Sequence, residues 1–270
     1  MILKIKKIIF SIKRLLVVFM TLFVHSLFAK KTPQNRGDTI EFSGYKWVTK
    51  DSYEKRTGPG NNYFSGSKEN VFVDKEGRLH LRLTYRNDNW YCPEVQAVQS
   101  LGYGRYHFYL EALSVPLDKD IVIGLFIYDR DDTTNYHKEV DIEFSYWGKE
   151  KNKNTQYVVQ PHEDQAYRFD TDLSKQTYHV IDISKRKMCF ESGFVNSLNP
   201  DSTQKRIASA KKKPKYVFLS DDEKVNINVW LFHTTEPSDL KEVEIVIAKF
   251  EFEELKAHRF LNLFSRKKVR

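Results

Sequence analysis

Glu139, Asp141 and Glu143 stand at alternate positions in the stretch His137-Lys-Glu-Val-Asp-Ile-Glu-Phe-Ser145, with Val140, Ile142 and Phe144 between them. Alternation of acids with β-favouring apolar side chains is the period of a half-buried strand, which predicts that all three carboxyls project from one face. Like charges crowded on one face raise the pKa of at least one member. The product is a carboxylic acid beside a carboxylate, the pair that acid–base and nucleophilic chemistry require. Two plainer readings of the same strand are a solvated acidic face and part of a calcium site.

The elements that must position these acids are strands. Leu79, Leu81 and Leu83 alternate on the second arm of a hairpin whose turn is Lys75-Glu-Gly77, and Ile121–Tyr128 is nearly all apolar, as a central strand covered on both sides would be. Further strands are predicted around 40–48, 156–160, 178–183, 188–191, 225–232 and 243–252. The cluster Gly58-Pro-Gly-Asn-Asn62 reads as a loop, and Gly102-Tyr-Gly104 as a sharp bend. Residues 199–215, polar and Lys-rich, are expected to form an exposed loop or short helix. Many short strands, no long amphipathic helix, and high counts of Tyr (15) and Phe (19) predict an all-β sandwich or jelly roll in one domain over residues 36–255.

The 270 residues carry a formal charge of +8, which raises the question of nucleic acid. Five bases lie within the first fourteen residues and four close the chain, so without its ends the charge is −1 and no nucleic-acid partner is expected. Residues 1–29 read as an export signal: a basic start, the apolar run Leu15–Val24, and cleavage after Ala29 or Ser26. A secreted, periplasmic or cell-surface location follows. The basic tail, 256–270, is read as a solvated end rather than a membrane contact, and a monomer is expected. Cys92 and Cys189 could pair in such a compartment, but spacing alone does not bring them together. No Cys/His cluster has zinc spacing, so no metal or cofactor is assigned.

Glu139-Val-Asp-Ile-Glu143 resembles the active-site strand of glycoside hydrolase family 16, E-[aliphatic]-D-[aliphatic]-E. Cys92–Tyr106 is similar to the strand and G-Y-G turn of the bacterial lichenases of that family, and Asn228-Val-Trp230 to their N-L-W strand. The resemblance spans residues 38–252. It implies a concanavalin A-like two-sheet jelly roll with the acids lining a concave cleft, and retaining hydrolysis or transglycosylation of β-glycosidic bonds in a polysaccharide. It also implies Glu139 as nucleophile, Asp141 as helper and Glu143 as general acid/base. A retaining pair needs its carboxyls about 5–5.5 Å apart, whereas four residues of flat strand span roughly 13 Å. The strand must therefore bend.

For substrate contacts the resemblance points to Glu94, Asn61 and Phe126, the last also readable as core. His137 and Trp147 are in phase with the acids and face the cleft if the strand stays regular that far. Trp147 is then a sugar-stacking platform or a rim aromatic covering a turn, and Tyr103 and Trp230 are subsite aromatics or packing residues. The sequence also departs from lichenases. His137 stands for their Trp, Gln96 for their Arg, Cys92 has no upstream partner, and Asp182-Ile-Ser-Lys185 lacks the Trp of D-W-x-P. Mixed-linkage specificity is therefore not implied.

Overall fold

Leu79, Leu81 and Leu83 are fully buried, and the alternation they show recurs from strand to strand. The computed structural model describes residues 36–255 apart from 162–164, 186, 196–204 and 213–221. The expected export signal and basic tail lie outside the described residues. In chain order the strands are β1 (Arg36–Phe42), β2 (Tyr45–Lys50), β3 (Tyr63–Phe64), β4 (Val71–Val73), β5 (Leu79–Arg86), β6 (Asn89–Cys92), β7 (Glu94–Ala97), β8 (Gly104–Leu110) and β9 (Ile121–Tyr128). Then come β10 (Val140–Phe144), β11 (Thr155–Val159), β12 (Tyr167–Phe169), β13 (Thr177–Ile183), β14 (Met188–Phe194), β15 (Lys205–Lys212), β16 (Lys224–Leu231) and β17 (Val243–Glu254).

They form two sheets. The first runs β1-β2-β7-β16-β9-β10-β11-β12 and the second β15-β14-β13-β8-β17-β5-β6-β3, with β4 on β5. Strands distant in sequence lie side by side, as in a jelly-roll sandwich. Between the sheets the apolar side chains interlock. Trp47 of β2 meets Phe250 of β17 edge-on (5.3 Å, 86°), Phe144 of β10 meets His179 of β13 (4.8 Å, 74°), and Tyr157 of β11 stacks on Phe190 of β14 (4.9 Å, 12°). Burying each such ring contributes about 1.5–3 kcal/mol, and the ring pairing about 0.5–1.5 kcal/mol more.

The central strand β9 is buried over all but its last residue, as expected of a strand flanked by β16 and β10. One expectation is corrected. Within 199–215, residues 205–212 form β15, the outermost strand of the second sheet. An edge strand needs only one bonded side, so Lys205 and Lys211 stay exposed while Ala208 is covered, and charge at the edge discourages pairing with other chains. The thiols are also settled: Cys92 and Cys189 are both free. Their strands, β6 and β14, stand five places apart in one sheet. At about 4.8 Å per strand that is some 24 Å, far outside disulfide reach.

Candidate active site

Within β10 the apolar members Val140, Ile142 and Phe144 are each wholly buried between the sheets. Period-two geometry therefore turns Asp141 and Glu143 to the opposite, outer face of the first sheet. Glu139 immediately precedes the strand, its backbone carbonyl accepting from the Gln160 N–H at 3.0 Å.

Strand register sets side chains across that face in two rows, the first mostly polar and the second mixed. In the first, Asn228 pairs with both Glu94 and Gly124, Gly124 with Glu143, Glu143 with Gln156, and Gln156 with Arg168. In the second, Val48, Gln96, Asn226, Phe126, Asp141 and Val158 lie side by side. These side chains point away from the core, yet Asp141 is 3% exposed, Glu94 6% and Gln156 2%. The face is therefore recessed, and its polar groups must satisfy one another.

They do so through hydrogen bonds that are charge-assisted at Glu94, Glu143 and Arg168 and neutral between Gln96 and Asn226. Lys50 Nζ donates to Glu94 Oε2 at 2.9 Å and to the Gly58 carbonyl at 2.7 Å, and Asn228 Nδ2 donates to the same Glu94 oxygen at 3.2 Å. Gln96 Nε2 donates to Asn226 Oδ1 at 2.9 Å. At the far end Gln156 Nε2 donates to Glu143 Oε2 at 2.5 Å, and Arg168 Nε donates to Gln156 Oε1 at 2.9 Å. Gln160 Nε2 reaches Asp141 Oδ2 at 3.5 Å. Asn228 Oδ1, buried beside Gly124, has no hydrogen-bond partner among the described residues. Burial and the neighbouring charge of Glu139 push the Tyr128 phenol up to about 12, which keeps its hydroxyl a donor on this face.

The regular strand ends on both sides of the acids, and the phase argument ends with it. Tyr136, His137 and Lys138 are all left-handed (φ 51°, 57° and 51°), so His137 does not continue the alternation. It arrives by another route, stacking on Tyr128 (4.6 Å, 25°) while its Nδ1 donates to the Asp129 carbonyl at 3.0 Å. The 129–138 loop is tied internally, with Lys138 Nζ 3.1 Å from both Asp129 Oδ2 and Asp132 Oδ2. Trp147 is also left-handed (φ 48°) and packs beneath the Arg168 guanidinium, 4.6 Å from ring centroid to Cζ.

Glu94, Gln96 and Phe126 thus lie on the same face as the three acids, with Phe126 directly opposite Asp141 and outside the inter-sheet cluster. Trp230 shares the parity of Asn226 and Asn228 but is half-buried and packs against the core, and Gly60 lies so close to its ring that an added Cβ would sit 2.8 Å away. Asn61 is exposed at the left-handed tip of that loop (φ 59°), and it is the neighbouring Asn62 that fastens the loop to β16 by donating to the Leu231 carbonyl at 2.9 Å. Tyr103 is not brought to this face. It precedes β8 in the second sheet and packs against the core.

Lys50, Tyr128, Gln156, Arg168 and Asn228 were missed as site residues. A signal existed for Asn228, which with Asn226 alternates with Ile227 and Val229. A separate groove of about 480 Å³ lies on the outer face of the second sheet, where its charges pair as Arg105–Asp182 and Arg206–Glu191. Among the described residues that line it the acids are Asp182 and Glu191, each paired with an arginine.

No protein-family model matches the chain, and no curated protein matches it in sequence. Solved structures do match. A β-glucanase of Bacillus licheniformis aligns over 81% of this chain and 99% of its own, with TM-score 0.58 and 17% identity. A non-specific endo-β-1,3(4)-glucanase of family GH16 aligns over 82% and 91% (TM-score 0.57, 13% identity). The laminarinase of Flavobacterium sp. UMI-01 aligns over 84% and 96% (TM-score 0.54, 14% identity). At these identities the likeness establishes architecture: the chain has the two-sheet jelly roll of these β-glucanases.

Proposed function

We propose that the protein is a secreted, retaining endo-β-glycanase of the family 16 type, acting on internal linkages of a β-glucan or related polysaccharide. The observation that carries this reading is the set of acids Glu139, Asp141 and Glu143 on one recessed polar face, with every intervening apolar residue in the core. The shared architecture with solved β-glucanases supports it.

In the first step a Glu139 carboxylate oxygen bonds to the anomeric carbon as the glycosidic C–O bond breaks, and Glu143 gives its proton to the departing oxygen. In the second, Glu143 takes a proton from water while the water oxygen displaces Glu139, so configuration is retained. Asp141, between them, steadies the nucleophile and by repulsion favours a protonated Glu143. The Tyr128 hydroxyl, half-buried on this face, is offered to a sugar hydroxyl. The leader pattern of residues 1–29 supports action outside the cytoplasm, where such polymers are found.

The test is sugar release from β-1,3-, β-1,4- and mixed-linkage glucans and from galactan, by the chain lacking residues 1–29. Release of first products with β configuration is expected. Glu139→Gln should lower turnover on the order of 10⁴-fold while polymer binding persists. Binding without release by the wild type would make the protein a carbohydrate-binding module, and full activity in the variant would remove Glu139 as nucleophile.

A further inference from the structure

Arg168 donates to the side chain from which Glu143 accepts a hydrogen bond. We propose that it is a positioning residue for Glu143, acting through the side-chain amide of Gln156; this rests on Glu143 being the acid/base. A glutamine amide presents a donor nitrogen on one side and an acceptor oxygen on the other, and a half-turn exchanges them with almost no change of shape. A guanidinium can only donate. With Arg168 Nε 2.9 Å from Gln156 Oε1, the oxygen must face the arginine, which leaves Nε2 to donate to Glu143 Oε2 at 2.5 Å. Turned the other way, the amide would set its carbonyl against the carboxylate and leave the guanidinium without an acceptor there.

The consequence for the chemistry is positional. Oε2 of Glu143 already accepts an N–H, so the transferable proton resides on Oε1, and that oxygen must deliver it to the leaving group. Trp147 completes the device, because its ring lies under the guanidinium and holds the plane in which Nε points. The other charged or titratable groups of this face include Glu139 and Asp141 beside Glu143, Tyr128 on β9 with His137 stacked on it, Lys224 on β16 opposite Tyr128, Glu94 on β7, and Lys46 and Lys50 on β2, and Lys50 is engaged by Glu94 at 2.9 Å. Arg168 is the cation bonded to the amide that Glu143 accepts from.

Leaving-group dependence reads this role. On polysaccharide, whose leaving oxygen needs a proton, Arg168→Met should lower kcat/KM about 10- to 100-fold, within the range of general acid catalysis. On a 2,4-dinitrophenyl β-glycoside, which departs unprotonated, the loss should be several-fold smaller, and Arg168→Lys, still a donor, should recover most of the polysaccharide rate. Equal losses on both substrates, or no loss on polysaccharide, would overturn the proposal. Glu143→Gln is the control: if it fails to spare the activated substrate, the acid/base assignment falls instead. A readout independent of activity is the side-chain amide signal of Gln156 in ¹⁵N-labelled protein, identified by its loss in Gln156→Leu. It should shift on Glu143→Gln in an otherwise native chain and cease to respond when Arg168→Met is also present. A retained response would overturn the relay whatever the enzyme assay gives.

Discussion

Gly124 lies directly opposite Glu143 in the β9–β10 register, and a Cβ built on it would come within 2.5 Å of Asn228 Oδ1. The missing side chain is the one gap in the row running from Glu94 to Arg168. Asn228 is 2% exposed and its Nδ2 is held by Glu94, so it cannot withdraw without breaking that bond. Gly124→Ala should therefore cost about 1–3 kcal/mol as overpacking and raise KM, with Gly124→Val worse on both counts. Unchanged denaturation midpoints and kinetics would show that the gap is incidental.

Lys50 brings to Glu94 the positive charge that Gln96 does not carry. With side chains 13% and 8% exposed, Lys50 and Glu94 are close to a buried pair. Lys50→Met should cost about 3 kcal/mol, because a desolvated carboxylate loses its counter-charge. Adding Glu94→Gln should restore more than half of that loss. A double-mutant cycle by urea denaturation measures the coupling, and strictly additive effects would refute it.

His179 lies under β10, fully buried between Ser192 (2.7 Å) and Thr177 (2.9 Å), and burial pulls its imidazole down from 6.5 to about 3. Between those values the unfolded chain binds a proton that the folded chain refuses. Stability is therefore complete above about pH 6.5 and falls as pH falls towards 3, by up to about 1.4 kcal/mol per pH unit. His107, lowered first by burial and then by Arg105, acts in the same direction. Urea midpoints taken from pH 7 to 4.5 should decline, and His179→Gln should flatten the slope. A slope unaltered by that substitution would place its origin elsewhere.

Burial drives the Cys92 thiol up to about 12, whereas Cys189 is half-buried on the groove face of the second sheet. A maleimide should label one thiol per native chain and two after unfolding, since only an accessible thiolate reacts. Cys189→Ser should abolish native labelling. Two labels on the native protein would contradict the placement of Cys92.

Local periodicity was enough to read much of this molecule. The acids of β10, the leucines of β5 and the apolar run of β9 each announce strand and face through their immediate neighbours, because side-chain direction in a strand depends only on parity. Parity lasts only as long as the backbone stays extended, which is why left-handed residues around 136–138 and at Trp147 defeated the phase argument for His137 and Trp147. In 205–212 the lysines concealed a strand, since charge is compatible with an edge and composition does not distinguish an edge from a loop.

The sequence by itself determined the carboxyl triad, the strand it occupies and the sandwich class. Only the tertiary structure decided the company around it. Lys50 meets Glu94 across 44 positions, and Asn228 meets it across 134. Those pairings follow from the order of strands in the first sheet, a property of the whole chain's packing that no local pattern contains.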